Sequence, residues 1–216
     1  MRSSLAMRSA GIAGVVGAVL ILGGLYLSTT GSGVPDQDAE AASWAAWARS
    51  REGPLELGAY VLLFPGLILF LGMFSALAGL LPSDGIWTRM AGYGAVSFFV
   101  LFAAGAALAS TAASTYGFYK AFDDPAALTV LTGATAGYHF QALAVWSLSL
   151  TIVATALALR SSDAISSRTS VSSIGLAALT AAANLIGFGI VFGLIWMVGV
   201  GIWLVRWAPR QVSGAL

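Results

Sequence analysis

Charge in this chain is confined to the margins of long apolar runs. No Asp, Glu, Lys or Arg occurs from Ser9 to Pro35, Leu57 to Ser83, Met90 to Tyr119, Pro125 to Leu159 or Thr169 to Val205. A bilayer hydrocarbon core of about 30 Å is crossed by about 20 apolar residues wound as an α-helix. In lipid, each backbone N–H and C=O must find its partner within the protein. Runs of this kind therefore constrain the chain to helices standing in a membrane. The overall balance agrees, since 9% of residues are charged and the mean hydropathy is +0.88, against about 25% charged in soluble domains. The 216 residues suffice for five or six spans and leave no room for a soluble domain of ordinary size. A net charge of +1 without a basic block gives no reason to invoke nucleic acid, and the absence of Cys removes disulfides, thiol catalysis and thiolate metal sites.

The expected fold is an all-α polytopic transmembrane bundle with six spans favoured and five possible. The first span covers about 10–28, after Arg2 and Arg8. Its apolar run exceeds an ordinary signal-peptide core and no small-x-small cleavage site directly follows, so it reads as a span with a cytoplasmic N-terminus. Gly11, Gly14, Gly17 and Gly23 are spaced so that several share a face, which marks Gly14 and Gly17 as helix-packing positions. Residues 29–56, broken by Gly31, Gly33, Pro35, Gly53 and Pro54, form an extracytoplasmic segment. Within it AEAASWAAWARS predicts a short interfacial helix, with Trp44 and Trp47 as anchors in the headgroup zone.

The second and third spans cover about 57–81 and 90–110, with Pro65 expected to kink the former. Phe70, Phe74, Phe98, Phe99 and Phe102 read as packing or lipid-facing residues. Counting back about 20 residues from Arg160 gives a fourth span at 140–159 and puts His139 at the outer interface. Residues 111–139 form a second extracytoplasmic segment. In it, Pro125 to Tyr138 either continues the helix outward or folds over the bundle, with Gly133 and Gly137 as bends. Asp123 and Asp124 precede Pro125 as a helix-start cap. Together the two segments predict a small extracytoplasmic cap.

The final apolar run, 171–207, carries no charge before Arg206 and is too long for one ordinary span. Read as spans 171–187 and 190–207 with a turn at NLIGFG, it leaves Arg2, Arg8, Arg89, Arg160, Arg168, Arg206 and Arg210 cytoplasmic, seven of ten cations. Read as one tilted span, it divides them five and five. The positive-inside rule favours the former and a multi-pass cell-membrane protein with its N-terminus inside. Gly189 and Gly193 form a GxxxG pair suited to close packing.

No charged residue is expected at mid-depth in any span, which disfavours a proton pump or ion-coupled carrier. Ser97, Ser147, Ser149, Thr151, Thr155 and Asn184 can bond to backbone carbonyls or across helices and need no substrate to explain them. No HExxH, GxSxG, GxxxxGK[ST] or CxxC pattern is present. A chemical site, if the chain has one, lies at the outer rim around the single histidine, His139, with Glu56 and Tyr60 at similar depth and Tyr116, Tyr119, Lys120, Asp123 and Asp124 as further candidates. No catalytic residue, cofactor or metal is assigned.

The first loop leading into REGPLELGAYVLLFPGLILFLGMFSAL and the ending WLVRWAPR resemble the small six-span integral membrane proteins of actinobacterial type. The resemblance implies that span plan and brings no functional residue with it. The expected function is a non-catalytic structural or accessory membrane protein embedded in lipid, acting through another membrane protein or a further copy of itself. A small enzyme or lipid-binding protein using the rim around His139 is the alternative, and a transporter the third.

Overall fold

The computed structural model describes residues 4–28, 35–36, 39–50, 57–119 and 127–213, with the side chains of 111–119, 127–131, 207–213 and several within 41–60 left outside that description. The described chain is helical. Helix α1 (Ser4–Ser28) is followed by the short α2 (Ala41–Ser50), a π-helical stretch Leu57–Leu63 that runs into α3 (Phe64–Ala78), and then α4 (Ile86–Tyr119), α5 (Ala127–Ser161), α6 (Ser167–Asn184) and α7 (Gly189–Ser213). Among the described residues, five segments are long and apolar enough to cross a membrane: Leu5–Leu27, Val61–Ala78, Ile86–Ser110, Thr132–Ser161 and Gly189–Arg206. Helix α6 falls short of that standard, since its opening turns, SRTSVSS, are polar.

Local chemistry explains the boundaries. Pro65 sits in the first turn of α3. It has no N–H to bond the carbonyl four residues back, and the chain ahead of it is wound wider, as π-helix. The expected kink is thus a change of helix type. Between α5 and α6, Asp163 takes a left-handed φ of 55° and the N–H of Ala164 bonds Leu159 O at 3.0 Å. Ser166 then caps α6, its hydroxyl accepting from Thr169 N–H at 3.2 Å. The final apolar run is broken by the turn Leu185–Phe188. There Gly187 adopts φ 81° and Phe188 N–H bonds Ala183 O at 3.0 Å, a left-handed helix end of the kind glycine permits.

Contacts fix the order in space. Gly17 faces Gly66, and Gly24 faces Gly58 and Leu63, so α1 and α3 are antiparallel. Gly94 meets Ser147 and Thr151 while Gly105 meets Gly137, so α4 and α5 are antiparallel. Asn184 reaches Ala142 O and Ser170 reaches Ala156 O, which sets α6 against α5 in the same sense. Gly189 packs on Thr180 and Asn184, closing the α6–α7 hairpin, and Gly11 faces Gly201, bringing α7 back beside α1. Every long helix therefore reverses its predecessor. Arg8, Arg89, Arg160, Arg168 and Arg206 all fall toward one end of the bundle, where Arg160 pairs with Asp163 at 3.0 Å.

The core is a mesh of large apolar and small residues. Phe70 of α3 meets Phe98 of α4 edge-on, with centroids 5.0 Å apart, and Phe98 continues to Phe102 at 5.4 Å. Phe70, Phe98 and Phe102 are buried and Phe99 is half-buried. Lipid tails are as apolar as these rings, so what holds them together in a bilayer is packing and not escape from water. Helix α5 is the most enclosed, with Ala144, Val145, Leu148, Ile152, Ala154, Ala156, Ala158 and Leu159 all buried.

Of the second outer segment, 127–139 follows one of the two expected courses, the outward continuation of the fourth span, and 111–119 likewise extends the third. They are helical and continuous with α4 and α5. Gly133 and Gly137 do not interrupt the helix; they lie against Leu108, Gly105 and Ala109 of α4, and small residues on both partners let the two backbones stay close. At 34 and 35 residues, α4 and α5 are each about 50 Å long at about 1.5 Å per residue. Helix α2 packs against α5 and α4.

Candidate functional site

The outer-rim residues divide into those the structure places and those it does not. Glu56, Lys120, Asp123 and Asp124 lie outside the described residues. Tyr60 falls in the π-helical stretch, and Tyr116 and Tyr119 in the last turns of α4; their side chains are likewise outside the description. His139 is fully described. It is exposed on α5, and its Nδ1 lies 2.7 Å from Thr135 O of its own helix. Tyr138 meets the imidazole edge-on at 6.0 Å. A neutral ring with Nδ1–H donating to Thr135 O leaves Nε2 as the free nitrogen. His139 lies 21 residues from Arg160 along one helix, about 30 Å, a separation equal to one hydrocarbon thickness. Among the described residues, no group of three His, Cys, Asp or Glu side chains converges on a point where a metal could sit. Trp47 of α2 is half-buried and Ser50 Oγ donates to its carbonyl at 2.8 Å; the Trp44 side chain lies outside the description.

The packing glycines are placed in full. Gly14 lies against the Met73 side chain, and a Cβ at Gly17 would stand 2.9 Å from Gly66 O. Gly189 faces the Thr180 carbonyl and Asn184, and Gly193 faces Leu148. Three pairs are reciprocal, with each glycine facing the other's carbonyl oxygen: Gly11 with Gly201, Gly17 with Gly66, and Gly105 with Gly137. Such approaches allow Cα–H···O contacts that a side chain would prevent. The partners Gly66, Gly105 and Gly201 were not legible beforehand. A glycine in an apolar run carries no label of what it faces, and only the fold supplied the pairing.

The bundle's buried polar groups are hydroxyls and one amide. Asn184 Nδ2 donates to Ala142 O at 3.0 Å, joining α6 to α5. Thr151 bonds Ser147 O at 2.9 Å, Thr180 bonds Leu176 O at 2.8 Å and Ser149 bonds Val145 O at 3.3 Å, each within its own helix. Ser170 reaches across to Ala156 O at 3.5 Å. Thr155 Oγ1 is the exception among the described residues, buried and without a partner. Asn184 and Ser170 thus join α6 to α5 while the other bonded hydroxyls turn back on their own helices, so the expected polar residues act mostly on the backbone of their own helix.

No protein-family model matches the chain, and neither a curated protein nor a solved structure matches it.

Proposed function

We propose that this chain is a non-catalytic integral membrane protein of the cell membrane, structural or accessory in role, that works through a protein partner within the bilayer. The observation that supports this reading is the polarity of its interior. Among the described residues the buried polar side chains are Ser110, Ser149, Thr151, Thr155, Ser170, Thr180 and Asn184, with no charge among them. Proton relays and ion-coupled carriers place ionisable groups at such positions. The reciprocal glycines are spent inside the bundle, so a partner would use open ones. A Cβ at Gly72, Gly175 or Gly199 would meet nothing within 4 Å.

In the same proposal the arginine-bearing end is cytoplasmic, in keeping with the positive-inside rule, and α6 also crosses, which brings the spans to six. Its 18 residues span about 27 Å, and its polar turns lie at the arginine-bearing end. The outer connections form the extracytoplasmic cap.

Two measurements test it. The chain lacks Cys, so single cysteines report topology cleanly. An impermeant maleimide is expected to label Asp36→Cys and Ile186→Cys in intact cells and Ser162→Cys only after permeabilisation; labelling of Ile186→Cys with the Ser162→Cys group defeats the six-span plan. Native mass spectrometry after mild-detergent extraction is expected to retain a stoichiometric second subunit, lost in Gly72→Leu, Gly175→Leu or Gly199→Leu while the bundle stays folded. A bare monomer, also unlinked by cross-linking in intact membranes, defeats the accessory reading.

A further inference from the structure

Beside the Gly11–Gly201 contact, α1 and α7 leave a groove of about 240 Å³ lined by Ile12, Val15, Val16, Ile202, Val205 and Arg206. Its walls are open to the surroundings: Ile12 is 56% exposed, Val16 43% and Ile202 43%. The antiparallel pairing that sets Gly11 against Gly201 and Val205 brings Arg8 to the level of Arg206. Arg8 also stands four residues before Ile12 and eight before Val16, on the same face of α1. Both arginines are exposed, and among the described residues neither has an acidic partner. One end of an apolar channel is thus marked by two cations at one height.

We infer that the α1–α7 groove is a binding site for an anionic glycerophospholipid, its phosphate held by Arg8 and Arg206 and an acyl chain lying along Ile12, Val16 and Ile202. Guanidinium groups match phosphate oxygens in charge and in fork geometry. Basic pockets between membrane helices bind anionic headgroups on the same principle. The groove is smaller than the roughly 300–1,000 Å³ typical of compact-solute pockets; it is bounded by about one turn of each helix, room for the part of an acyl chain nearest the headgroup. A second copy of the protein is a poorer occupant. A twofold axis along the membrane normal would bring four arginines together at one depth, and like charges repel across such an interface. The inference needs the bundle to stand in a bilayer and is independent of the protein partner proposed above.

The test uses the full chain, delipidated in mild detergent and titrated with phosphatidylglycerol or phosphatidylcholine of the same acyl chains, with binding read by native mass spectrometry. Phosphatidylglycerol is expected to bind about tenfold more tightly, and Arg8→Gln and Arg206→Gln each to lower its affinity about fivefold. Arg89→Gln, at the same end of the bundle but outside the groove, should leave it unchanged. Ile202→Trp, which fills the groove and keeps both charges, should also weaken binding. Equal affinity for the two lipids overturns the site even if every variant misfolds. So does a preference that survives loss of both arginines, or one that Arg89→Gln reduces equally. Protein extracted from membranes by carbonate alone would instead defeat the bilayer reading on which the site rests.

Discussion

A Cβ at Gly11 would stand 2.5 Å from the Gly201 carbonyl, and a Cβ at Gly105 would stand 2.7 Å from that of Gly137. The two contacts are alike in chemistry, since each lets antiparallel backbones meet where any side chain would separate them. They differ in what else keeps the helices together. Helices α4 and α5 are joined by a short connection and remain neighbours along most of their length, through Gly94 against Thr151 and Gly133 against Leu108. Helices α1 and α7 have no such link, and four other long helices separate them in sequence. The glycine pair works beside a direct chain connection in the hairpin, whereas in the seam, extensive as it is, packing alone holds the helices together. Backbone approach is therefore worth most where connectivity contributes least.

That contrast can be broken at either pair. Gly201→Leu is expected to have the largest effect. It drives a side chain into the Gly11 carbonyl and Val15, and should destabilise the folded bundle by about 3 kcal/mol, the upper part of the overpacking range, while releasing α7 to protease in detergent. Gly105→Val meets Gly137 and Gln141 in the hairpin and should lose less, about 1–2 kcal/mol, with α4 and α5 still protected together. If the two losses are equal, or their order is reversed, connectivity is not what distinguishes the pairs. Both are measured by reversible denaturant unfolding in micelles.

Two smaller substitutions sharpen the picture away from glycine. Asn184→Ala removes the amide donor to Ala142 O across α6 and α5 and should cost about 0.6–1.7 kcal/mol, as interhelical hydrogen bonds do in membranes. The same unfolding assay would report it. Thr155→Val replaces a buried hydroxyl that has no partner by a methyl of similar shape, and should be neutral or stabilising by up to about 1 kcal/mol. A clear loss at Thr155 would mean that its hydroxyl has a partner in the membrane.

The apolar runs made the helical fold legible, and the physics of an unbonded backbone in lipid left little alternative. The break in the last run was legible too, because NLIGFG carries the glycine that a left-handed turn needs, and Gly187 takes that role. The length of α4 and α5 was not. Polar residues such as Thr111 made the outer end of α4 look like loop, whereas for Pro125 to Tyr138 a helical continuation was one of two courses the sequence left open; the close approach of Gly133 and Gly137 to α4 depends on the partner helix. At the rim, the sequence pointed to His139 but could not say that its ring would turn back to Thr135. It also gave no notice of Arg8 and Arg206 sharing one level, because that relation exists only once α7 has returned beside α1.

The Gly11–Gly201 contact has a consequence for biogenesis. With the two glycines 190 positions apart and translation at about 5–20 residues per second, Gly11 emerges roughly 10–40 s before the helix that covers it. For a chain inserted into a membrane as proposed above, the α7-facing side of α1 around Gly11 would wait through that interval without its mate, open to insertion factors or to the wrong helix of another nascent chain. The seam would close late, and the yield of correctly assembled protein would be sensitive to how long α1 is held.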